Sequence, residues 1–202
     1  MTAAYEAPEQ APQHDGTVRR LHLGCGDDDR AGWLDVDANP ESSADIVADV
    51  TDTPWEWADA RAVEVIEAHH LIEHVPDRGA FFREAARVLA PDGRLTVTVP
   101  LGANWTTDDD HEPPAWTWET PLQYSSLHRR PWDPALPLQV VDRSLDVWLA
   151  GPTSPASPLL QAAATVWPAW AAERCYAGEL TVSYRKRPGL ADEASAAEEG
   201  ER

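Results

Sequence analysis

Residues 63–99 constrain the fold more than any other stretch of the chain. "VEVIEAHH" carries β-branched residues at Val63, Val65 and Ile66 and reads as a strand. "PDRGAFFREAARVLA" follows, with Phe81, Phe82, Ala85, Val88 and Leu89 on one helical face and Asp77 placed to cap its start. "RLTVTVP" then reads as a second strand, led in by a Pro91-Asp92-Gly93 turn. Strand, helix and strand in that order predict a parallel pair joined by a right-handed crossover, and hence an α/β fold.

The pattern extends in both directions. "RLHLG", "WLDVD" and "ADIVADV" read as three earlier strands, and "LQVVDRSLDVWL" and "ELTVSYRKR" as two later ones. "PLLQAAATVWPAWAAERCY" is helical and broken near Pro168. Residues 1–17, rich in Pro, Gln and Glu, read as a disordered arm, and 188–202 as an acidic disordered tail. Residues 18–187 form the domain. Within it, 101–137 is a lid-like segment rich in Trp, Pro and Asp, and 150–178 is a helical insertion.

Composition excludes several classes. A chain of 202 residues suits one domain with a sizeable core. It has no run of eighteen apolar residues, so no membrane span is expected. The N-terminus has neither the basic start nor the apolar stretch of a secretory signal. Cys25 and Cys175 lie far apart without metal spacing. Together these features predict a cytoplasmic protein. The net charge is −19, with Lys186 the sole lysine, and such acid repels phosphate backbones, so no nucleic-acid partner is expected. The acid fits a solvated surface as well as it fits adaptation to high salt; the abundant Ala and Arg also fit a GC-rich genome.

In "LHLGCGDDDRAGWLDVDANP", a strand ends in Gly24-Cys25-Gly26, which permits a tight turn and close approach of a ligand to the backbone. A second strand ends in Asp37, where a carboxylate can accept from both hydroxyls of a ribose. Neither feature is specific alone. Asp27, Asp28 and Asp29 stand where a third glycine would be, and their charge opposes a phosphate ligand, against a dinucleotide.

The ordered run "LHLGCG", "GWLDVD", "ADIVADV", "VEVIEAHHLIEHVPD", "FFREAARVLAPDGRLTVTVP" and "DDDH" resembles the class I S-adenosylmethionine-dependent methyltransferases. The likeness is to the branch with an L-x-L-G-C-G first strand and an H-x-x-E-H segment after the fourth. It covers residues 18–100 closely and 101–187 more loosely. It implies a Rossmann-like, mostly parallel seven-stranded sheet with helices on both faces and an antiparallel last strand. It implies S-adenosyl-L-methionine as cofactor, with Gly24, Cys25 and Gly26 lining its methionine and ribose. Asp37 would hold the ribose hydroxyls, Asp49 and Val50 would sit by the adenine, and His69 would lie near the sulfonium.

His69 and His111 are the catalytic candidates, as bases for an acceptor that must lose a proton. His70 is a further candidate; His74 and Glu73 read as structural. Asp108, Asp109, Asp110 and His111 offer oxygen and nitrogen donors, but they read better as a loop bonding its own backbone, and no metal is expected. Trp105, Trp116, Trp118 and Trp132 read as the apolar core of the cap rather than as a stacking platform. Trp167 and Trp170, with Leu159, Leu160 and Ala163, read as packing, or as a partner surface if exposed.

The expected activity is methyl transfer to a small-molecule or glycan- or lipid-linked acceptor. The alternative is a methyltransferase-fold accessory or assembly protein with little or no activity. Two departures support that alternative: His22 replaces the acid two residues before the first glycine, and only residues 25–32 separate the first two strands, too few for a crossover helix. Oligomeric state is not legible.

Overall fold

Strands whose side chains alternate apolar and polar build this sheet, although its core is parallel. In the computed structural model the strands are β1 (Arg20–Leu23), β2 (Leu34–Asp37), β3 (Ile46–Val47), β4 (Val63–His69), β5 (Leu89–Gly102), β6 (Leu138–Trp148) and β7 (Ala177–Lys186). Their order is β3-β2-β1-β4-β5-β7-β6. The first five run parallel, and β7 lies antiparallel between β5 and β6. The structure describes residues 19–127, 130, 132–133, 135–148, 157–187 and 189. The expected arm at 1–17, the tail at 188–202 apart from Gly189, and residues 150–156 of the insertion lie outside the described residues.

Register explains the alternation. Val36, Leu23, Ala68, Val97 and Val182 form one rung across five strands, and Leu34, Leu21, Ile66, Leu95 and Tyr184 form another. The rung between them is Asp35, His22, Glu67, Thr96 and Ser183. Neighbouring rungs face opposite sides of a sheet. One face is therefore apolar and the other polar, whereas a parallel sheet buried on both faces reads as unbroken apolar runs.

The helices are α1 (Arg78–Val88), α2 (Ala103–Thr106), α3 (Ser157–Val166) and α4 (Pro168–Ala172). Asp77 caps α1, its carboxylate accepting from Ala80 N at 2.8 Å. The helix buries Phe81, Phe82, Ala85 and Val88. Phe82 stacks on Tyr124 at 4.1 Å between centroids and meets Tyr184 edge-on at 5.2 Å, which places α1 on the apolar face. Truncating a phenylalanine held this way costs about 3–5 kcal/mol.

No helix joins β1 to β2. The loop between them carries Arg30, whose amide donates to Asp35 Oδ2 at 2.8 Å and whose guanidinium donates to Glu67 at 2.7 Å, across the polar face. Polar groups elsewhere on that face pair with each other: Thr96 with Ser183 at 3.2 Å, and Thr98 with Thr181 at 2.9 Å.

Three expectations need correction, and the exposure of Trp167 and Trp170 decides an alternative left open. Pro91, Asp92 and Gly93 lie inside β5 rather than before it; Val63 pairs with Leu89 and Val65 with Arg94, so the extra residues bulge out of a continuous strand. "ADIVADV" contributes only the two residues of β3. Trp167 and Trp170 are 65% and 46% exposed, because α3 turns Leu160 and Ala164 inward instead. Trp132 is 74% exposed and lies under the Arg130 guanidinium, while Trp105 and Trp116 are buried as expected of the cap core. Among the described residues, no helix is long and apolar enough to cross a membrane.

Candidate active site

The tips of β1 and β2 and the segment after β3 converge on a cavity of about 240 Å³. Its walls are Gly24, Asp37, Ala38, Ala48, Asp49, Val50, Thr51, Leu71, His74 and Val75. Gly24 has φ 67°, a left-handed conformation, and a Cβ there would stand 3.1 Å from Leu71 Cδ1. Glycine at this position lets β1 turn away from β2 while Leu71 closes over the strand tip.

Two carboxylates face the cavity, and each is oriented by backbone amides. Asp37 Oδ2 accepts from Gly26 N and Oδ1 from Asn39 N, both at 2.8 Å. Asp49 Oδ1 accepts from Thr51 N at 2.8 Å and from Thr51 Oγ1 at 2.7 Å. Each oxygen used once retains acceptor capacity. Val50 is fixed from behind, where buried Trp55 donates its indole N–H to Val50 O at 2.9 Å. Trp55 is itself held by Glu84, which accepts from Trp55 N, and by Arg87, which donates to Trp55 O. Burial raises the Glu84 carboxyl pKa, but the Arg87 and Trp55 hydrogen bonds outweigh it and leave it below its usual value.

Gly24, Asp37, Asp49 and Val50 thus share one cavity. Cys25, Gly26 and His69 are not among its walls. Cys25 is buried beside them, and burial, with Asp37 and Asp35 nearby, pushes its thiol pKa up to about 11. Gly26 acts through its amide on Asp37. His69 belongs to the polar face, 3.4 Å from Glu67. His111 lies apart, its Nδ1 3.0 Å from Trp105 O. His22, at the position of the expected acid, is buried against Asp35.

Besides Ala38, Ala48 and Thr51, the wall residues that sequence reasoning missed are Leu71, Val75 and His74. They sit in "HHLIEHV", beside histidines that drew attention to their polar chemistry; the signal was the apolar pair Leu71 and Val75, one helical turn apart just past a strand tip.

A family model described as a methyltransferase domain matches residues 21–97. Over those residues the chain is similar to the class I S-adenosylmethionine-dependent methyltransferases. The methyltransferase fold extends over the rest of the domain in solved structures. A methyltransferase from Mesorhizobium loti is 15% identical with a TM-score of 0.51, over 85% of this chain and 92% of that one. The partner of the Trm112 methyltransferase activator in a Haloferax volcanii complex is 16% identical with a TM-score of 0.55, over 85% of this chain and 83% of that one. Phosphoethanolamine N-methyltransferase 2 of Haemonchus contortus, in complex with phosphomonomethylethanolamine and S-adenosylhomocysteine, is 12% identical with a TM-score of 0.52, over 88% of this chain and 50% of that one. No curated protein matches this chain in sequence.

Proposed function

We propose that the chain transfers a methyl group from S-adenosylmethionine to a small-molecule or glycan- or lipid-linked acceptor. The observation that carries the reading is the meeting of Asp37 and Asp49 with Gly24 in one cavity whose walls include no arginine or lysine. Such a wall opposes phosphate and favours a cationic ligand.

Within that cavity Asp37 accepts from the ribose hydroxyls, using the lone pairs that Gly26 N and Asn39 N leave free. Asp49 accepts from the exocyclic amine of the adenine. Val50 and Leu71 supply apolar contact for its ring. The bound donor supplies an already activated methyl group, so the protein mainly aligns the acceptor and excludes water. The reading requires no base, and His69 enters it only for an acceptor that must lose a proton.

Calorimetry with S-adenosylhomocysteine, at low and high salt, tests the reading. Binding by the wild-type chain that weakens in Asp37→Ala supports it. A folded wild-type chain that binds neither the donor nor its product overturns it, in favour of an accessory role. Mass spectrometry of material that co-purifies with the chain addresses the acceptor.

A further inference from the structure

We propose that Glu73, His74 and His111 form a binding site for a divalent transition-metal ion of the zinc class. Each of the three offers one donor atom, and these atoms lie within 4.8 Å of one another. A tetrahedral zinc site with bonds of about 2.0–2.1 Å spaces its donors by about 3.3 Å. Small side-chain rotations close the difference.

The buried carboxylate is the decisive observation. Glu73 is 1% exposed, its Oε1 lies 3.3 Å from His70 Nδ1, and its Oε2 has no hydrogen-bond partner. A buried carboxylate oxygen without a donor is costly unless something positive meets it. A metal ion bound through Oε2 is such a group.

Each imidazole has its Nδ1 beside a backbone carbonyl, and His111 Nε2 also lies 3.7 Å from Asp108 Oδ2. His74 Nδ1 lies 3.3 Å from Asp110 O, and His111 Nδ1 lies 3.0 Å from Trp105 O. Donation of Nδ1–H to a carbonyl leaves the Nε2 lone pair for a metal, the usual outer arrangement of metal-bound histidine. The rings stand 4.9 Å apart, edge to face.

Two segments distant in sequence are clamped together to make the cluster. Glu112 N donates to Glu73 O at 2.7 Å. The Arg78 guanidinium donates to the carbonyls of Ile72, Pro114 and Glu112 and lies over the Trp105 ring. Arg78 is thus a positioning residue for the cluster. Two imidazoles and one carboxylate suit zinc or iron(II) and leave coordination positions open, whereas magnesium and calcium prefer all-oxygen sites. His74 also lines the cofactor cavity, so an open position borders it. That this position would take an oxygen of the methyl acceptor rests on the proposed methyltransferase function; metal binding itself does not.

The test is titration of the metal-free full chain with Co²⁺, read by its visible d–d absorption, followed by competition with Zn²⁺. The expected result is one saturable site per chain that Zn²⁺ empties. Affinity should fall at least about tenfold in His74→Ala, in His111→Ala and in Glu73→Gln. Asp110→Asn, which keeps the carbonyl used by His74, should bind as wild type does. His74 is exposed, so its variant tests the proposal even if the buried variants misfold. Absence of a saturable site, unchanged affinity in His74→Ala and His111→Ala, or binding of Mg²⁺ alone would overturn it. S-adenosylhomocysteine affinity of the wild-type chain is measured in parallel; no binding there, with Co²⁺ binding intact, refutes the methyltransferase reading and leaves the metal site standing.

Discussion

His22 Nδ1 lies 3.0 Å from Asp35 Oδ1, with both side chains 2% exposed. The pair joins β1 to β2 on the polar face, and Asp35 also takes the Arg30 amide. Removing one member leaves the other buried with its main partner gone. Asp35→Ala should therefore lower unfolding free energy by about 3 kcal/mol in urea titration. The double variant His22→Leu, Asp35→Val should recover part of that loss, since it removes the unpaired imidazole and leaves only the Arg30 amide without its acceptor. Equal stability of wild type and Asp35→Ala would show that the pair contributes nothing.

Asp37→Ala removes a charged acceptor from the cavity and frees the Gly26 amide. A hydrogen bond to a charged group contributes about 1.5–3 kcal/mol, which corresponds to about a ten- to hundredfold loss of affinity. Calorimetry with S-adenosylhomocysteine measures it, and Asp37→Asn should fall between the two. Identical affinity across the series would remove Asp37 from the site.

The Glu84 pKa sets a pH dependence. Its folded value lies below the usual carboxyl value of 4.5, because the Arg87 and Trp55 hydrogen bonds outweigh burial. A depressed carboxyl pKa contributes stability that is present above the unfolded value and is lost as pH falls through the folded one. Glu84→Gln should thus be less stable than wild type at neutral pH, and the gap should close on acidification below pH 4.5. Thermal melts across that range read the effect; a gap that widens in acid would reverse the assignment. Since Trp55 braces Val50, the same variant should weaken cofactor binding as well.

The Cys25 thiol should be nearly inert. Burial pushes its pKa up to about 11 from the ordinary 9.0, which cuts the thiolate fraction at neutral pH about a hundredfold. Alkylation by iodoacetamide in the folded chain should be slower by at least that factor than in urea. Rapid labelling of Cys25, located by peptide mass spectrometry, would contradict its burial.

Much of the fold was legible because it is written in local pattern. The Phe81, Phe82, Ala85 and Val88 stripe and the Asp77 cap define α1 without tertiary knowledge, and Gly24 with Asp37 marks two strand tips. Pro91-Asp92-Gly93 misled, because a bulge and a turn use the same residues and only pairing with β4 distinguishes them. The polar face was written in "LHL", "LDVD" and "LTVTV" as strict alternation, a pattern that a parallel sheet normally lacks. The cluster of Glu73 and His74 with His111 was illegible, since residues from two distant segments meet there and no fixed spacing announces it. Trp167 and Trp170 gave no sign of their exposure, because a helical stripe does not say which of its flanks faces inward.

The glycine turn at Gly24–Gly26 opens into a loop and not into the first turn of a helix. No helix dipole therefore starts at that turn, and the two carboxylates in the cavity wall are those of Asp37 and Asp49. A sulfonium loses its positive charge when it gives up its methyl group. The spent thioether should thus be held less firmly than the donor it came from, and turnover in this chain should be eased at the step where product leaves.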